Sequence, residues 1–276
     1  MEKFQLSLFF KIIGIGSASG LVYLDDKLYI ISDSSTYLYE YHISDEKLNK
    51  IALVENPQEN ITKKDKPDFE SITTIDSTII ISGSGSTNKR NLSFYYDLKS
   101  GEKKENDLTE MYQTIKHQLN FKDGDLNIEG VIVDKGTIFL FQRGNGSEGK
   151  NGIISVHNDR YESEIGFTIF NLPKIKNVTA TFTDAILVDG IIYFLAAAED
   201  TSSTYNDGEV LGSMIGTIDL KTMKLISSVQ ISDKHKFEGL TLYKKTATQI
   251  EFLLCEDNDS EILESNIYKL VLDITQ

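Results

Sequence analysis

The sequence has almost no cysteine and very little proline. Its 276 residues include one cysteine, Cys255, and three prolines. A single cysteine excludes an intramolecular disulfide framework and is typical of a reducing compartment, so we expect a cytoplasmic protein. Three prolines and the absence of low-complexity tracts argue against a linker between domains. We therefore interpret residues 1–276 as a single domain.

Long apolar runs and basic residues are also scarce. No run of about 18 apolar residues exists, and the N-terminal stretch 4–15 alternates like a strand, so we predict neither a membrane span nor a signal peptide. The chain has 28 Lys and Arg against 42 Asp and Glu, a net charge of -14. This field repels nucleic acids and anionic membranes, and we expect a monomer that binds neither.

The chain does contain a motif that recurs five times. Each copy places an oxygen-bearing side chain before a small residue and an aliphatic one. The copies span 17–21, 68–72, 127–131, 182–186 and 236–240, and the oxygen-bearing residues are Ser19, Glu70, Glu129, Asp184 and Glu238. These residues are 51 to 59 positions apart. A period of this length indicates a repeat architecture.

Each copy is followed by short alternating strands joined by tight turns, which predicts an antiparallel meander. The fold class is therefore all-β, a five-bladed β-propeller of four-stranded antiparallel blades. The fifth unit lacks its outer strand, and residues 6–15 can supply it and close the ring. Residues 107–119 have apolar residues at helical spacing, so we predict a short helix inserted after the second blade's third strand. A six-bladed alternative would need a blade around 101–126, where the pattern is helical.

The five repeated oxygen-bearing residues should meet at the central channel, because the first strand of each blade lines it. Four carboxylates near one axis repel each other, and a bound Ca²⁺ would compensate them, since it accepts six to eight oxygen ligands. The predicted metal ligands are Ser19, Glu70, Glu129, Asp184 and Glu238. In the alternative, these groups bond to the backbone amides of neighbouring blades and stabilise blade packing. The four histidines and Cys255 form no ligand pair for a softer metal.

The loops after the second strands should reach the same mouth of the channel. Only three basic residues are Arg, and two of them, Arg90 and Arg143, follow second strands in glycine-rich loops. Arginine forks and nearby backbone amides suit a carboxylate or phosphate group. We predict an anionic small molecule as the ligand, bound by Arg90, Arg143, Asn145, Asp200 and Tyr205, the last on a long loop over 199–212. In the alternative, each arginine pairs with a channel carboxylate and Tyr205 lies in an ordinary turn.

Several of these stretches resemble an uncharacterised bacterial β-propeller family. The matching segments are Gly83–Arg90, Leu126–Gly130, Phe141–Asn145 and Phe182–Ala185. More distantly, the Glu-Gly repeat is similar to phytase-like esterase and SdiA-regulated propellers and to the calcium-activated nucleotidases. These distant resemblances imply a calcium-centred channel and the hydrolysis of an ester or phosphoester. The nearer family implies no reaction.

Two kinds of function stay open from the sequence. One is a calcium-assisted hydrolase of an anionic ester, in which the candidate catalytic carboxylates are Glu129, Asp184 and Glu199. The other is a non-catalytic module that binds a ligand or a partner protein. The chain has no Gly-x-Ser-x-Gly nucleophile motif that would indicate a serine hydrolase.

Overall fold

The strands of this chain pair into five four-stranded antiparallel sheets. A computed structural model describes residues 3–157, 165–200, 208–257 and 263–274. The first strand, β1 (Phe4–Ile13), belongs to the last blade. Blade one holds β2 (Ala18–Leu24), β3 (Lys27–Ser32), β4 (Tyr37–His42) and β5 (Lys47–Ala52). Blade two holds β6 (Phe69–Ile75), β7 (Thr78–Gly83), β8 (Leu92–Asp97) and β9 (Lys103–Asp107).

The remaining blades repeat this order. Blade three holds β10 (Ile128–Asp134), β11 (Thr137–Gln142), β12 (Gly152–His157) and β13 (Gly166–Ile169). A small hairpin, β14 (Lys174–Ile175) and β15 (Val178–Thr179), follows it. Blade four holds β16 (Thr181–Val188), β17 (Ile191–Asp200), β18 (Glu209–Asp219) and β19 (Lys224–Ser232). Blade five holds β20 (Phe237–Lys245), β21 (Gln249–Glu256) and β22 (Glu264–Asp273), with β1 as its outer strand.

The ring closes between the two ends of the chain, as the sequence predicts. Strand β1 pairs antiparallel with β22, with Phe4 opposite Leu272 and Ile12 opposite Ser265. The first strands of neighbouring blades pack on each other around the axis, and β20 packs on β2 to complete the circle. The prediction of a five-bladed propeller closed by the N-terminal strand is therefore confirmed.

The hydrophobic core lies between the blades. Four clusters of buried apolar residues each fill the interface between one blade and the next, and a fifth packs the helical segment after blade two against blade three. The residue just before the repeated oxygen-bearing position contributes to these clusters in four blades, for example Phe69 and Phe237, both fully buried, and in blade four the core residue is Phe182. Because side chains alternate along a strand, burying this residue in the core turns the next one towards the channel.

A single α-helix, α1 (Thr109–Leu119), interrupts the repeat among the described residues. Sequence analysis placed it after the third strand of blade two, and the structure shows that the fourth strand, β9, comes between them. The helix buries Tyr112 and Ile115 against blade three, and the Tyr112 hydroxyl donates to the carbonyl oxygen of Gly83 at 2.8 Å. Gly85 has a positive φ of 73°, and a Cβ there would lie 2.8 Å from the Tyr112 ring. In the described part of the chain, neither this helix nor the short 3-10 turn Asn88–Arg90 is long and apolar enough to cross a membrane.

The loop predicted over 199–212 is shorter than expected. Strands β17 and β18 continue into it, with Glu199 opposite Val210 and Asp200 opposite Glu209. These residues are polar, but they are part of the strands because their backbone groups continue the hydrogen-bonded pairing of β17 with β18. Tyr205 lies outside the described residues.

Candidate functional site at the channel mouth

Each blade's first strand contains a β-bulge at the same position. The pairing with the second strand skips one residue in all five blades, and the bulged residues are Ser19, Glu70, Glu129, Thr183 and Glu238. A bulge bends the strand and redirects the side chain of the extra residue. In blade four the bulge falls on Thr183, so the predicted residue Asp184 lies one position beyond the equivalent of the other four.

The hydroxyl-bearing bulges hold neighbouring blades together. Ser19 Oγ donates to the carbonyl oxygen of Phe69 in blade two, and Thr183 Oγ1 donates to that of Phe237 in blade five at 2.7 Å. Asp184 Oδ2 accepts the backbone N–H of Leu240, also in blade five, at 2.7 Å. Such contacts are those expected if the repeated residues stabilise the packing of neighbouring blades. They account for the burial of Ser19 and Asp184 without a ligand.

The three glutamate bulges instead line a cavity of about 210 Å³ at the mouth of the channel. First strands begin and second strands end at this mouth, so both contribute side chains to it. The lining carboxylates are Asp33, Asp68, Glu70, Glu129, Glu199, Glu238 and Asp257. The lining cations are Lys63, Lys66, Arg90, Arg143 and Lys236. All five blades or the loops between them therefore supply charged groups to one small space.

One group of ion pairs surrounds Asp68. The Lys66 ammonium lies 2.9 Å from Asp68 Oδ1 and also binds Asp33. Arg90 donates from one terminal nitrogen to Asp68 Oδ2 at 2.8 Å and to Ser86 Oγ at 2.9 Å. Burial opposes the charge on Lys66, but the carboxylates of Asp68 and Asp33 outweigh it and raise the pKa of Lys66, so this lysine stays protonated.

A second group surrounds Arg143 and Lys236. Arg143 contacts Glu129 at 3.2 Å and Glu199 at 2.5 Å, joining blades three and four. The Lys236 ammonium lies 2.7 Å from Glu238 and 3.8 Å from Glu199. The protein's own cations therefore compensate these carboxylates, and each ion pair offsets part of the hydration that both groups lose inside the cavity.

Glu70 differs from the other lining carboxylates. Within the described part of the chain it is the one that forms neither a hydrogen bond nor an ion pair. Burial, with the charges of Asp68, Glu129 and Glu238, raises its pKa well above the usual value. Burial also raises the pKa of Glu238 to about 8, although the Lys236 ammonium opposes this. Both lining carboxyl groups therefore hold a proton more readily than an ordinary glutamate does.

The predicted ligand-binding residues are partly brought together. Arg90, Arg143 and Asn145 all line the cavity, and Asn145 Oδ1 accepts from Asn127 Nδ2 at 3.4 Å. Asp200 is exposed at the end of β17. Arg143 pairs with the channel carboxylate Glu129, as the alternative interpretation of the sequence expected, whereas Arg90 pairs with Asp68, which is not one of the repeated residues.

The predicted metal ligands are also partly brought together. Glu70, Glu129 and Glu238 line the cavity, whereas Ser19 and Asp184 are bonded to neighbouring blades. A different set, Asp33, Asp68 and Glu70, has carboxylate oxygens within 4.8 Å of one another, and this small group could bind a metal ion.

Sequence analysis missed several residues of this site, above all Lys66 and Lys236. Lys236 stands two positions before its bulge, and so do Asp68 and Asn127 in their blades, which places them on the same face of the strand. This signal was present in the repeat itself. Lys66 lies in a loop between blades, where no repeat or motif indicates its role.

Comparisons with known proteins give a family and a fold. The profile of a family of unknown function, DUF6929, matches residues 14–272. The Myxococcus xanthus glutaminyl cyclase superposes with a TM-score of 0.53 at 10% identity, covering 98% of this chain and 97% of that one. The major allergen Mala s 1 of Malassezia sympodialis superposes with a TM-score of 0.50 at 9% identity, covering 96% of each chain. A search of curated protein sequences finds no match.

Identities this low establish a shared propeller fold and nothing about activity. The similarity to phytase-like esterases, SdiA-regulated propellers and calcium-activated nucleotidases stays a prediction from the sequence.

Proposed function

We propose that this chain, which belongs to the DUF6929 family of unknown function, binds a small zwitterionic molecule in its central cavity. The observation that supports this is that the Glu70 carboxyl group has no partner among the described residues. It lines the cavity without a hydrogen bond or ion pair to the described residues, while the carboxylates around it are paired. An ammonium group on a ligand would supply the partner that Glu70 lacks.

The charge balance of the cavity favours a ligand that carries both signs. Seven carboxylates and five cations line it. The raised pKa values of Glu70 and Glu238 reduce the excess of two negative charges that this lining would carry if every group were ionised. A purely anionic ligand would compete with internal carboxylates for Lys236 and Arg143, and it would add uncompensated charge to a buried site. A zwitterion brings a carboxylate to these cations and an ammonium to Glu70, and it adds no net charge of its own.

The size of the cavity limits the ligand. About 210 Å³ is below the roughly 300–1,000 Å³ of most small-molecule sites, which indicates a ligand of amino-acid or dipeptide size. Its ammonium would stabilise the ionised form of Glu70 and lower its raised pKa, so binding should release a proton at any pH where the free protein keeps Glu70 protonated.

The test is a binding screen with three panels: amino acids and dipeptides, carboxylates and phosphate esters without an amine, and amines without an acid. We expect the first panel to raise the melting temperature most. Titration calorimetry in two buffers of different ionisation enthalpy then measures proton release. Glu70→Gln should weaken binding about ten- to hundredfold, the value of a charge-assisted hydrogen bond, and should abolish the proton release. Glu105→Gln, on the exposed strand β9, is the matched control.

Stabilisation by the anionic panel alone, unchanged in Glu70→Gln, would contradict this proposal and favour the anionic ligand predicted from the sequence. No response to any panel would favour the protein-interaction scaffold.

Catalysis is a second candidate function, favoured by the raised pKa of Glu70. A carboxyl group whose pKa is raised by burial and by neighbouring carboxylates in a ligand cavity is suited to general acid–base chemistry. The hydrolysis of an ester or phosphoester is the reaction that the sequence resemblances imply. Turnover of generic carboxylate and phosphate esters by the wild-type protein, lost in Glu70→Gln and kept in Glu105→Gln, would support it. Ligand binding without turnover would leave a binding module.

A further inference from the structure

The carboxylates of Asp33, Asp68 and Glu70 have the spacing of a calcium site. Their nearest oxygens lie within 4.8 Å of one another, and Ca²⁺ binds oxygens at about 2.3–2.6 Å, so one ion could contact all three. However, the Lys66 ammonium already forms ion pairs with two of them, Asp33 and Asp68. A calcium ion at this group and the Lys66 ammonium therefore require the same two carboxylates, Asp33 and Asp68.

We infer that Lys66 is a built-in cation that takes the place of a divalent metal in this carboxylate group, so that the native propeller is stable without calcium. The lysine side chain is only 13% exposed, and Asp68 only 5%, so the ammonium compensates these carboxylates in a largely dry environment. An ammonium that is part of the chain pays no entropy of association, whereas a free ion must displace it to bind.

The backbone around Lys66 is held in place for this role. The Lys66 N–H donates to the carbonyl oxygen of Thr62 at 2.9 Å, and the Asp68 N–H donates to that of Asp33 at 3.0 Å. Pro67 follows the lysine and restricts its backbone to extended conformations. Asp68 itself has a positive φ of 56°, a conformation that costs a non-glycine residue free energy and persists only where surrounding contacts enforce it.

The charge of the group explains why removing Lys66 should create a metal site. Arg90 also contacts Asp68. Metal binding requires all three carboxyl groups to be ionised, and in that form three carboxylates face two cations, so one negative charge remains. Replacing the single charge of Lys66 by a divalent ion makes this group neutral. In addition, Asp33 Oδ1 is buried and accepts no hydrogen bond, so it is available as a further ligand atom. Adding a divalent ion while Lys66 remains would instead leave an excess of positive charge.

The experiment compares wild-type protein with Lys66→Met, measuring melting temperature and calorimetric binding with calcium chloride and with excess chelator. We expect the wild-type melting temperature to be the same in calcium and in chelator. Lys66→Met should melt lower in chelator, regain stability in calcium and bind one Ca²⁺ per chain. Adding Glu70→Gln to this variant should weaken calcium binding by about tenfold or more, because it removes one charged ligand.

Lys89→Met is the control, since Lys89 is an exposed lysine paired with the exposed Asp65 and neither residue lines the cavity. This variant should bind no calcium. If Lys66→Met does not fold in either condition, Lys66→Gln replaces it, because glutamine retains hydrogen-bond donors for Asp33 and Asp68. A wild-type protein that loses stability in chelator and recovers it with calcium would overturn the inference. So would a folded Lys66 variant that binds no calcium. None of these measurements depends on the zwitterionic ligand, so this inference and the proposed function fail separately.

Discussion

Arg143 is the residue whose removal should disturb the central cavity most. Its guanidinium lies 3.2 Å from Glu129 in blade three and 2.5 Å from Glu199 in blade four. Both carboxylates are nearly buried, with side chains 3% and 6% exposed. Arg143→Met keeps much of the side-chain volume and removes the charge and the donors. It leaves two buried carboxylates without their main counter-ion.

The expected loss of stability follows from the burial of these partners. Breaking a buried ion pair by removing one member costs about 3–5 kcal/mol, because the remaining charge stays desolvated and unpaired. Glu129 keeps a hydrogen bond from Asn127 at 2.6 Å, and Glu199 keeps one from the Gly208 N–H at 2.6 Å, so we expect no more than this range. For a chain of this size the loss corresponds to a melting temperature lower by roughly 6–20 °C.

The destabilisation should depend on pH. Burial already raises the pKa of Glu129 above its ordinary value of 4.5, and Arg143 opposes this shift, so the variant should raise it further. A carboxyl group with a raised pKa in the folded state stabilises the fold fully below its unfolded pKa, and this contribution is lost as the pH rises through the folded pKa. The difference between variant and wild type should therefore be small at about pH 5 and large at about pH 8.

Urea denaturation at both pH values measures the change, provided that each protein unfolds in a single transition. Adding Glu129→Gln and Glu199→Gln to Arg143→Met should restore most of the stability, since it removes the unpaired charges. Lys89→Met breaks an exposed ion pair and should leave the transition unchanged. If Arg143→Met unfolds like the wild type at about pH 8, the ion pairs do not compensate these carboxylates and the description of the cavity is wrong.

Three further predictions concern other parts of the propeller. Because burial raises the pKa of Glu238 to about 8, this residue should cost stability as the pH rises from about 4.5 to 8, and Glu238→Gln should flatten the melting temperature over that window. Asp184→Ala should cost about 1–3 kcal/mol in urea denaturation, because it leaves the buried Leu240 N–H without an acceptor, whereas Asp184→Asn should cost less; equal losses would refute this role. Deleting residues 1–15 should prevent stable folding, since it removes β1 and opens the ring; a truncated protein with unchanged cooperative melting would contradict this.

The blade count and the closure of the ring could be predicted from the sequence, because both depend on local patterns. Alternating apolar residues and tight turns specify short antiparallel strands, and their repetition at 51 to 59 residues specifies five units. The last unit has three strands instead of four, and the strand at 6–15 belongs to no other unit. Assigning this strand to the last unit closes the ring. The convergence of Glu70, Glu129 and Glu238 on one cavity follows from the same symmetry.

The register of blade four was decided only by tertiary structure. The bulge adds one residue to a strand, and which residue becomes the extra one depends on how β16 pairs with β17. The local sequence offers two adjacent oxygen-bearing candidates, Thr183 and Asp184, and a one-residue shift sends a side chain to the opposite face.

The partners of the channel carboxylates were also beyond the sequence. Glu199 meets Arg143 because the ring brings the end of β17 beside the loop after β11, and these residues are 56 positions apart. Lys66 reaches Asp33 from a loop that belongs to no repeat. Ion pairs of this kind depend on distances across the closed ring, which no local pattern encodes, and they decide that the protein's own cations compensate these carboxylates.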